Sequence, residues 1–497
     1  MSEKRPSRKQ EKTIQKSKSN SLRQERKRRK KTNQEIMLVT YVFVALFVGM
    51  IGYMVYFVYT QADVYVANEY NSKRQEIYAD RYIRGDIVSS DGQVLATTQV
   101  DEEGNETRTY PYGPVFSHVV GYSTRGNTGI ESIGSSYLLS ANINPALKAV
   151  YELKNVKTQG DTVVTTLDSR LQKAAYNALG DANGAVVALD PKTGKILAMV
   201  SKPDFNPNTI NEVWDELVDS NNKNSNLVNR ATQGLYPPGS TFKILTALEY
   251  IREYSAAYEN FHFDCDSLYT VGEYSIKCSR SVSHGEVDLI TAFAKSCNGA
   301  FSSIGEKLNF SQFYKLCEDF GYNSALPINL LSNASKFNLK NSDSVWDVLQ
   351  TSIGQGTTQI TPLHNAMIAA AVANGGVMMK PYVIDHVENS DGTTVKTFSA
   401  ASYRTVMTSQ EAELLKSFMR AVVTSGTGSN AQGDGYTVAG KTGSAEFATG
   451  KEPHAWFIGF ANVDDPEIVV SVIVEEGGSG GSVAAPIARA VFDAYYN

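Results

Sequence analysis

Ser240 and Lys243 lie in the stretch Tyr236-Pro237-Pro238-Gly239-Ser240-Thr241-Phe242-Lys243, which runs into the apolar-periodic Ile244 to Ile251. Pro-Pro-Gly cannot continue a preceding helix, and the residues after it lack breakers, so a helix should begin near Ser240. Spacing of three places Lys243 on the same face as Ser240, with its amine in reach of the hydroxyl. That pairing is an activated nucleophile: an amine base takes the serine proton, and N–H groups of a first helical turn can stabilise negative charge nearby. Taken alone, Ser-x-x-Lys reads better as an N-cap serine with a solvent-facing lysine. A second copy, Ser220-Asn221-Asn222-Lys223, sits in an Asn-rich polar run and reads as solvated loop.

Two further clusters change that reading. Ser296-Cys297-Asn298 lies inside Leu289 to Ile304, a largely apolar stretch with a helical pattern. Ser and Asn two apart enter one cavity only if the backbone there leaves the regular helix; otherwise they are a buried polar pair satisfied locally. Lys441-Thr442-Gly443-Ser444 has the pattern of an exposed edge strand carrying a cation, a hydroxyl and a glycine that lets a ligand backbone approach; otherwise it is a surface turn. A similar run, Lys192-Thr193-Gly194, joins two strand-like segments as a hairpin turn and precedes the nucleophile.

The ordered set Ser-x-x-Lys, Ser-x-Asn, Lys-Thr-Gly resembles the penicilloyl serine transferases, the penicillin-binding proteins and serine β-lactamases, with Cys297 where that family's second motif carries Asp. Arg84-Gly85-Asp86-Ile87 with Asp91-Gly92-Gln93-Val94-Leu95-Ala96, Gly354-Gln355-Gly356 with Thr361-Pro362-Leu363, and His454-Ala455-Trp456-Phe457-Ile458-Gly459 resemble the class B, monofunctional transpeptidases. Gly129-Ile130-Glu131 resembles a further signature, here followed by Ser132.

The resemblance implies an α+β protein: a membrane-anchored, strand-rich pedestal followed by a transpeptidase domain, with a five-stranded antiparallel sheet, flanking helices and a helical subdomain. It implies acyl transfer through a Ser240 ester on peptidoglycan stem peptides ending in D-Ala-D-Ala. Lys243 would be the base and Ser296 the proton relay to the departing D-alanine. Asn298 would hold the substrate amide, and Lys441, Thr442 and Ser444 its carboxylate, with Gly443 between them. The N–H groups of Ser240 and Ser444 would form the oxyanion hole. β-Lactams would be covalent inhibitors, and a membrane glycan polymerase of the shape, elongation, division and sporulation family the partner.

These residues must be positioned by a chain of 497 residues, 42% hydrophobic and 20% charged, enough for two or three domains. Residues 1–35 hold 14 Lys/Arg and four Glu, a net +10, which leaves −15 for the remainder of a chain whose total is −5. This basic start, without glycine and nearly without apolar residues, is expected to be a disordered cytoplasmic tail. Ile36 to Tyr59 is 24 residues without a charge, long enough to span a bilayer. A cleaved leader would have a shorter apolar region and a small-x-small site, so residues 36–60 read as an uncleaved anchor with the basic flank inside. Nucleic-acid binding by the tail is disfavoured by this anchor.

Residues 61–160 are polar, Tyr-rich and strand-prone, the expected pedestal, too short for a glycosyltransferase domain. Residues 161–497 are the expected catalytic domain. Asp168-Ser169 through Leu179, closed by Gly180, reads as a capped amphipathic helix. Strand patterns at Gly184 to Leu189 and Lys195 to Met199 recur at Trp456 to Phe460 and Ile468 to Val474, before a last helix from about Ala484 to Tyr495. Strands at both ends of the domain suggest one antiparallel sheet.

The four cysteines are Cys265, Cys278, Cys297 and Cys317. Outside the membrane, a Cys265–Cys278 bond would close a short loop and contribute about 3 kcal/mol. Spacing alone does not bring two thiols together, so the pairing stays open at this level. Cys297 reads as a small packing residue. The histidines 118, 262, 284, 364, 386 and 454 show no metal-ligand spacing with one another, so neither metal nor cofactor is expected. Other readings of the same motifs are a D,D-carboxypeptidase, an anchored β-lactamase or β-lactam sensor, and a non-catalytic scaffold of wall synthesis. Glu446 and His454 fall near the expected cleft without an assigned role.

Overall fold

The computed structural model describes residues 8–66, 80–154, 156–340 and 343–497. The chain forms two units, residues 1–68 and 69–497.

The first is one helix, α1 (Arg8–Val66), and its apolar part meets the length and hydropathy of a membrane span. The basic segment was expected to be disordered; from Arg8 onward it is helical instead. Lys, Arg, Gln and Glu are good helix formers, and no glycine or proline interrupts the run before Gly49. Wherever side-chain exposure is described up to Tyr56, the residues are exposed, so propensity rather than packing accounts for this helix.

In the second unit, after a short strand at Tyr82–Ile83, the pedestal sheet takes β1 (Ile87–Val88), β2 (Val94–Val100), β3 (Glu106–Thr109) and, beyond several short helices, β4 (Thr162–Thr165). Asp168 caps α2 (Ser169–Leu179) by accepting from Arg170 N at 2.8 Å and Leu171 N at 3.3 Å, and Gly180 closes it at φ +59°, as expected. Then come β5 (Gly184–Leu189), β6 (Ile196–Lys202) and α3 (Lys243–Glu253). Four short strands follow: β7 (His262–Cys265), β8 (Leu268–Val271), β9 (Tyr274–Lys277) and β10 (Gly285–Asp288). After α4 (Leu289–Ala294) and α5 (Asn298–Gly305) come α6 (Pro362–Ala373), β11 (Ile384–Glu388) and β12 (Thr394–Thr397). The chain ends with α7 (Ser409–Thr424), β13 (Val438–Ala445), β14 (His454–Ala461), β15 (Ile468–Val474) and α8 (Ala485–Tyr496).

The main sheet has the order β13-β14-β15-β5-β6 with every pair antiparallel, built from both ends of the domain as the strand pattern predicts. Helix α6 packs on it with all twelve residues buried. Thr361 caps α6 by accepting from His364 N at 3.2 Å, and Pro362 supplies the first turn, where its missing N–H costs nothing.

The expected boundary at residue 160 is crossed by a second sheet of six strands, in the order β12-β11-β4-β1-β2-β3. Strand β4 pairs parallel with β1 and antiparallel with β11, so the hairpin at 384–397 joins the pedestal sheet across more than two hundred residues. Within the pedestal, Glu131 is fully buried between two arginines. It accepts from Arg84 Nε at 2.6 Å, Arg108 Nε at 2.7 Å and Tyr110 Oη at 3.1 Å. Burial alone would raise its pKa, but Arg108 and Arg84 overcome that and hold it below the ordinary value. Asp91 accepts from Ser169 N at 3.0 Å and Ser169 Oγ at 2.7 Å, joining the Asp91-Gly92 turn to the first catalytic-domain helix.

Candidate active site

The helix expected near Ser240 starts as one tight turn, Gly239–Phe242, that runs into α3 at Lys243. Gly239 has φ +53°, and a Cβ there would come within 3.1 Å of the Ser444 carbonyl oxygen and of Ala445. Only glycine lets this turn lie against the end of β13. Gly239 N donates to Gly354 O at 2.9 Å, so the Gly354-Gln355-Gly356 motif backs the same turn. Gln355, with its amide oriented to satisfy both ends, donates to Glu446 O at 3.0 Å and accepts from Glu446 N at 3.1 Å, clamping the chain just beyond β13. Asn365 of α6 donates to Thr241 Oγ1 at 3.1 Å. Sequence reasoning missed Asn365 as a support because it sits inside an otherwise apolar helix.

Lys243 is fully buried and its amine donates to Asn298 Oδ1 at 2.8 Å, Ser296 O at 2.8 Å and Ser296 Oγ at 3.4 Å. The Ser240–Lys243 hydrogen bond that their spacing suggests is not formed; among the described residues Ser240 Oγ has no hydrogen-bond partner. The amine is drawn instead to the carbonyl and amide oxygens of the second motif, which are better acceptors for an ammonium than a hydroxyl.

The helical reading of Leu289 to Ile304 breaks where the chemistry requires it. Helix α4 ends at Ala294, Ser296 takes φ +57°, and Cys297 is extended and caps α5 by accepting from Ala300 N at 3.4 Å. A serine at positive φ costs of order 1–3 kcal/mol and persists only where the surroundings fix it. Here the turn aims Ser296 and Asn298 at the same lysine. Asn298 Nδ2 also donates to Lys277 O at 2.9 Å.

Strand β13 is an edge strand, as predicted, but it is not exposed: Lys441 is fully buried and Thr442 nearly so. The Gly239–Phe242 turn and α7 cover it. Lys441 Nζ donates to Ser296 Oγ at 2.9 Å and to Thr442 O at 3.0 Å. A hydroxyl hydrogen bond joins Thr442 Oγ1 to Thr427 Oγ1 at 2.5 Å, and Ser444 Oγ accepts from Gly480 N at 3.4 Å. A Cβ on Gly443 would meet Pro238 O at 3.1 Å, so the third motif abuts the first. Thr427 and Gly480 escaped the sequence reading; the glycine-rich run Gly477 to Gly481 after β15 was the available signal for the latter.

Burial lowers Lys243 to about 8. Burial, and then repulsion from Lys243, hold Lys441 well below the ordinary lysine value. Two buried amines thus converge on one serine hydroxyl, and burial disfavours the charged form of each, which suits proton transfer through Ser296.

The two decoys are structural. Asp190 accepts from Lys192 N at 2.8 Å and Thr193 N at 3.3 Å, forming the β5–β6 hairpin turn, and Ser220 to Lys223 lie beyond a short helix at Ile210–Val218 without strand or helix. His454 is buried, accepts from Glu476 N at 3.1 Å and stacks on Phe447 at 4.1 Å, so it is a packing and hydrogen-bonding residue at the start of β14.

Two family models match the chain: the penicillin binding protein transpeptidase domain over residues 184–493, and the penicillin binding protein A dimerisation domain over residues 84–163. The peptidoglycan D,D-transpeptidase PbpA of Mycolicibacterium smegmatis is 33% identical over 457 residues, covering 85% of this chain and 91% of that protein. Stage V sporulation protein D of Bacillus subtilis is 30% identical over 411 residues, covering 76% and 62%. The solved structure of penicillin-binding protein A from M. tuberculosis, a ceftriaxone acyl-enzyme complex, matches with a TM-score of 0.78 and 30% identity, covering 85% of this chain and 100% of that one.

Fold and site together define a serine-type acyltransferase of α+β architecture with an N-terminal apolar helix. The chain belongs to the penicillin-binding protein transpeptidase family, in its class B branch.

Proposed function

We propose that this protein is a membrane-anchored peptidoglycan D,D-transpeptidase that cross-links stem peptides through an acyl ester on Ser240 and releases D-alanine. The observation that carries this reading is the convergence of Lys243, Ser296, Asn298 and Lys441 in one hydrogen-bonded set, beside the turn that holds Ser240 against β13.

In the proposed reaction, uncharged Lys243 takes the Ser240 proton as the oxygen attacks the penultimate D-Ala carbonyl. The N–H groups of Ser240 and Ser444 receive the oxyanion. Ser296, fed by Lys243 and Lys441, gives a proton to the leaving D-alanine amine. Asn298 orients the substrate amide, while Lys441, Thr442 and Ser444 hold its carboxylate across Gly443. An amine of a second stem then takes the acyl group, and β-lactams stop at the ester.

The helical N-terminal segment supports a single-pass anchor in the cell membrane, with its Lys/Arg-rich end cytoplasmic and the catalytic domain outside. A glycan polymerase of the shape, elongation, division and sporulation family is the proposed partner, because the roughly one hundred residues between the apolar helix and the catalytic domain are too short for a glycosyltransferase domain, so the glycan strands that carry the stems need another source.

The test is product analysis with the full-length chain, such a polymerase and lipid-linked disaccharide pentapeptide. Cross-linked dimers that vanish with Ser240→Ala support the transpeptidase. Tetrapeptides released without dimers would move the reading to a carboxypeptidase.

A further inference from the structure

The side chains of Cys265, Cys278, His284 and Cys297 meet at one point. Their sulfur and ring-nitrogen atoms all lie within 4.8 Å of one another, the three cysteines buried and His284 half-buried. Cys265 and Cys278 sulfurs are 3.6 Å apart, Cys278 and Cys297 are 3.8 Å apart, and Cys265 Sγ lies 3.4 Å from His284 Nδ1. All four thiols of the chain are free, so the Cys265–Cys278 bond considered from the sequence is not formed.

These separations are those of a metal tetrahedron. With zinc bonds of about 2.3 Å to sulfur and about 2.0–2.1 Å to nitrogen, tetrahedral ligands stand about 3.8 Å apart for two sulfurs and about 3.6 Å for sulfur and nitrogen. Three thiolates and an imidazole in a closed site are a donor set that selects zinc.

The lobe that carries them gives a second, independent reason. Strands β7 and β10 pair, and β8 and β9 form a hairpin, yet only Cys265, Ile276 and Val287 of these strands are buried. So little apolar core does not hold a small lobe together without a staple. The search for histidines spaced with one another missed this site because it has one histidine, and its fourth ligand lies in the Ser-x-Asn motif.

We propose that Cys265, Cys278, His284 and Cys297 bind one structural zinc ion that fixes the Ser296–Cys297–Asn298 turn. Cys297 separates the two site residues, and Asn298 is bonded to Lys277 O, immediately before Cys278. The metal thus ties the strained Ser296 backbone to the hairpin at two adjacent points. All four ligands are positioning residues.

The test is metal analysis of the full-length chain purified in detergent without chelators, with penicillin acylation measured in parallel. The expected result is about one zinc per chain, lost in Cys265→Ser and His284→Ala and kept in Cys317→Ser, whose thiol lies elsewhere. Stripping the metal should slow acylation about ten-fold or more, with recovery on adding zinc. Should the variants fold poorly, cobalt added to the stripped wild-type chain must give thiolate-to-metal absorption. A chain that takes up no zinc, an intact mass about 2 Da short from a Cys265–Cys278 disulfide, or zinc kept by the variants would overturn the site. Acylation unchanged on stripping would overturn its positioning role. The metal count does not depend on the transpeptidase reading, so the two can fail separately.

Discussion

Lys441, on the edge strand, donates to Ser296 Oγ at 2.9 Å across 145 residues of chain, while Lys243 reaches the same oxygen from α3 at 3.4 Å. The serine of the second motif, rather than Ser240, is therefore where the two buried amines meet. Ser296→Ala should lower the penicillin acylation rate by about 10²–10⁴ while the folded chain's melting temperature changes little. Acylation within a factor of two of wild type would remove Ser296 from the proton path.

The pH profile follows from Lys243. With its value near 8, about a tenth of the amine is uncharged at pH 7, so acylation should rise with pH and level off above about 8. The sign for stability is the same. The unfolded chain binds more protons between about 8 and the ordinary 10.5, so the Lys243 contribution to stability rises with pH across that window. An acylation rate that is flat from pH 6 to 9 would contradict Lys243 as the base.

Glu131 offers a prediction far from the chemistry. Glu131→Gln leaves Arg84 and Arg108 part-buried without their carboxylate, at a cost of about 3–5 kcal/mol. Because the folded value is depressed, this stabilisation is present above the ordinary glutamate pKa of 4.5 and lost as pH falls through the lower folded value. Denaturant melts of the full chain should show the acid-side loss in wild type and a weaker one in the variant. Equal melts for both at neutral pH would contradict the account.

Gly354 has φ +76°, and a Cβ there would overlap the Gly239 carbonyl oxygen beside the nucleophile. Gly354→Ala should displace the Ser240 turn and cut acylation well beyond what Gly356→Ala does, since a Cβ at Gly356 meets nothing closer than 3.6 Å. Equal effects of the two substitutions would show that the contact with Gly239 is irrelevant.

Which parts of this were legible in the sequence follows from how local their causes are. The Asp168 cap, the Gly180 stop and the Lys192 turn are decided within a few residues, and all three are seen as read. The three site motifs were legible because each sets an unusual residue combination at fixed spacing and all three occur together in order, although only the first two sit at a backbone break while the third lies in a regular strand. The hairpin at 384–397 joining β4 was not, since a strand's partner leaves no trace in its own pattern. Burial of Lys441 was likewise set by distant elements, the Gly239 turn and α7, that cover an edge the pattern left open. Helicity of the basic segment was missed because composition was weighed above propensity.

Whether Ser240 carries the acyl group is read by intact-mass analysis of the full-length chain after incubation with penicillin. The account predicts one long-lived adduct of penicillin mass, absent in Ser240→Ala. An adduct that persists in Ser240→Ala, or none in the wild type, would contradict it.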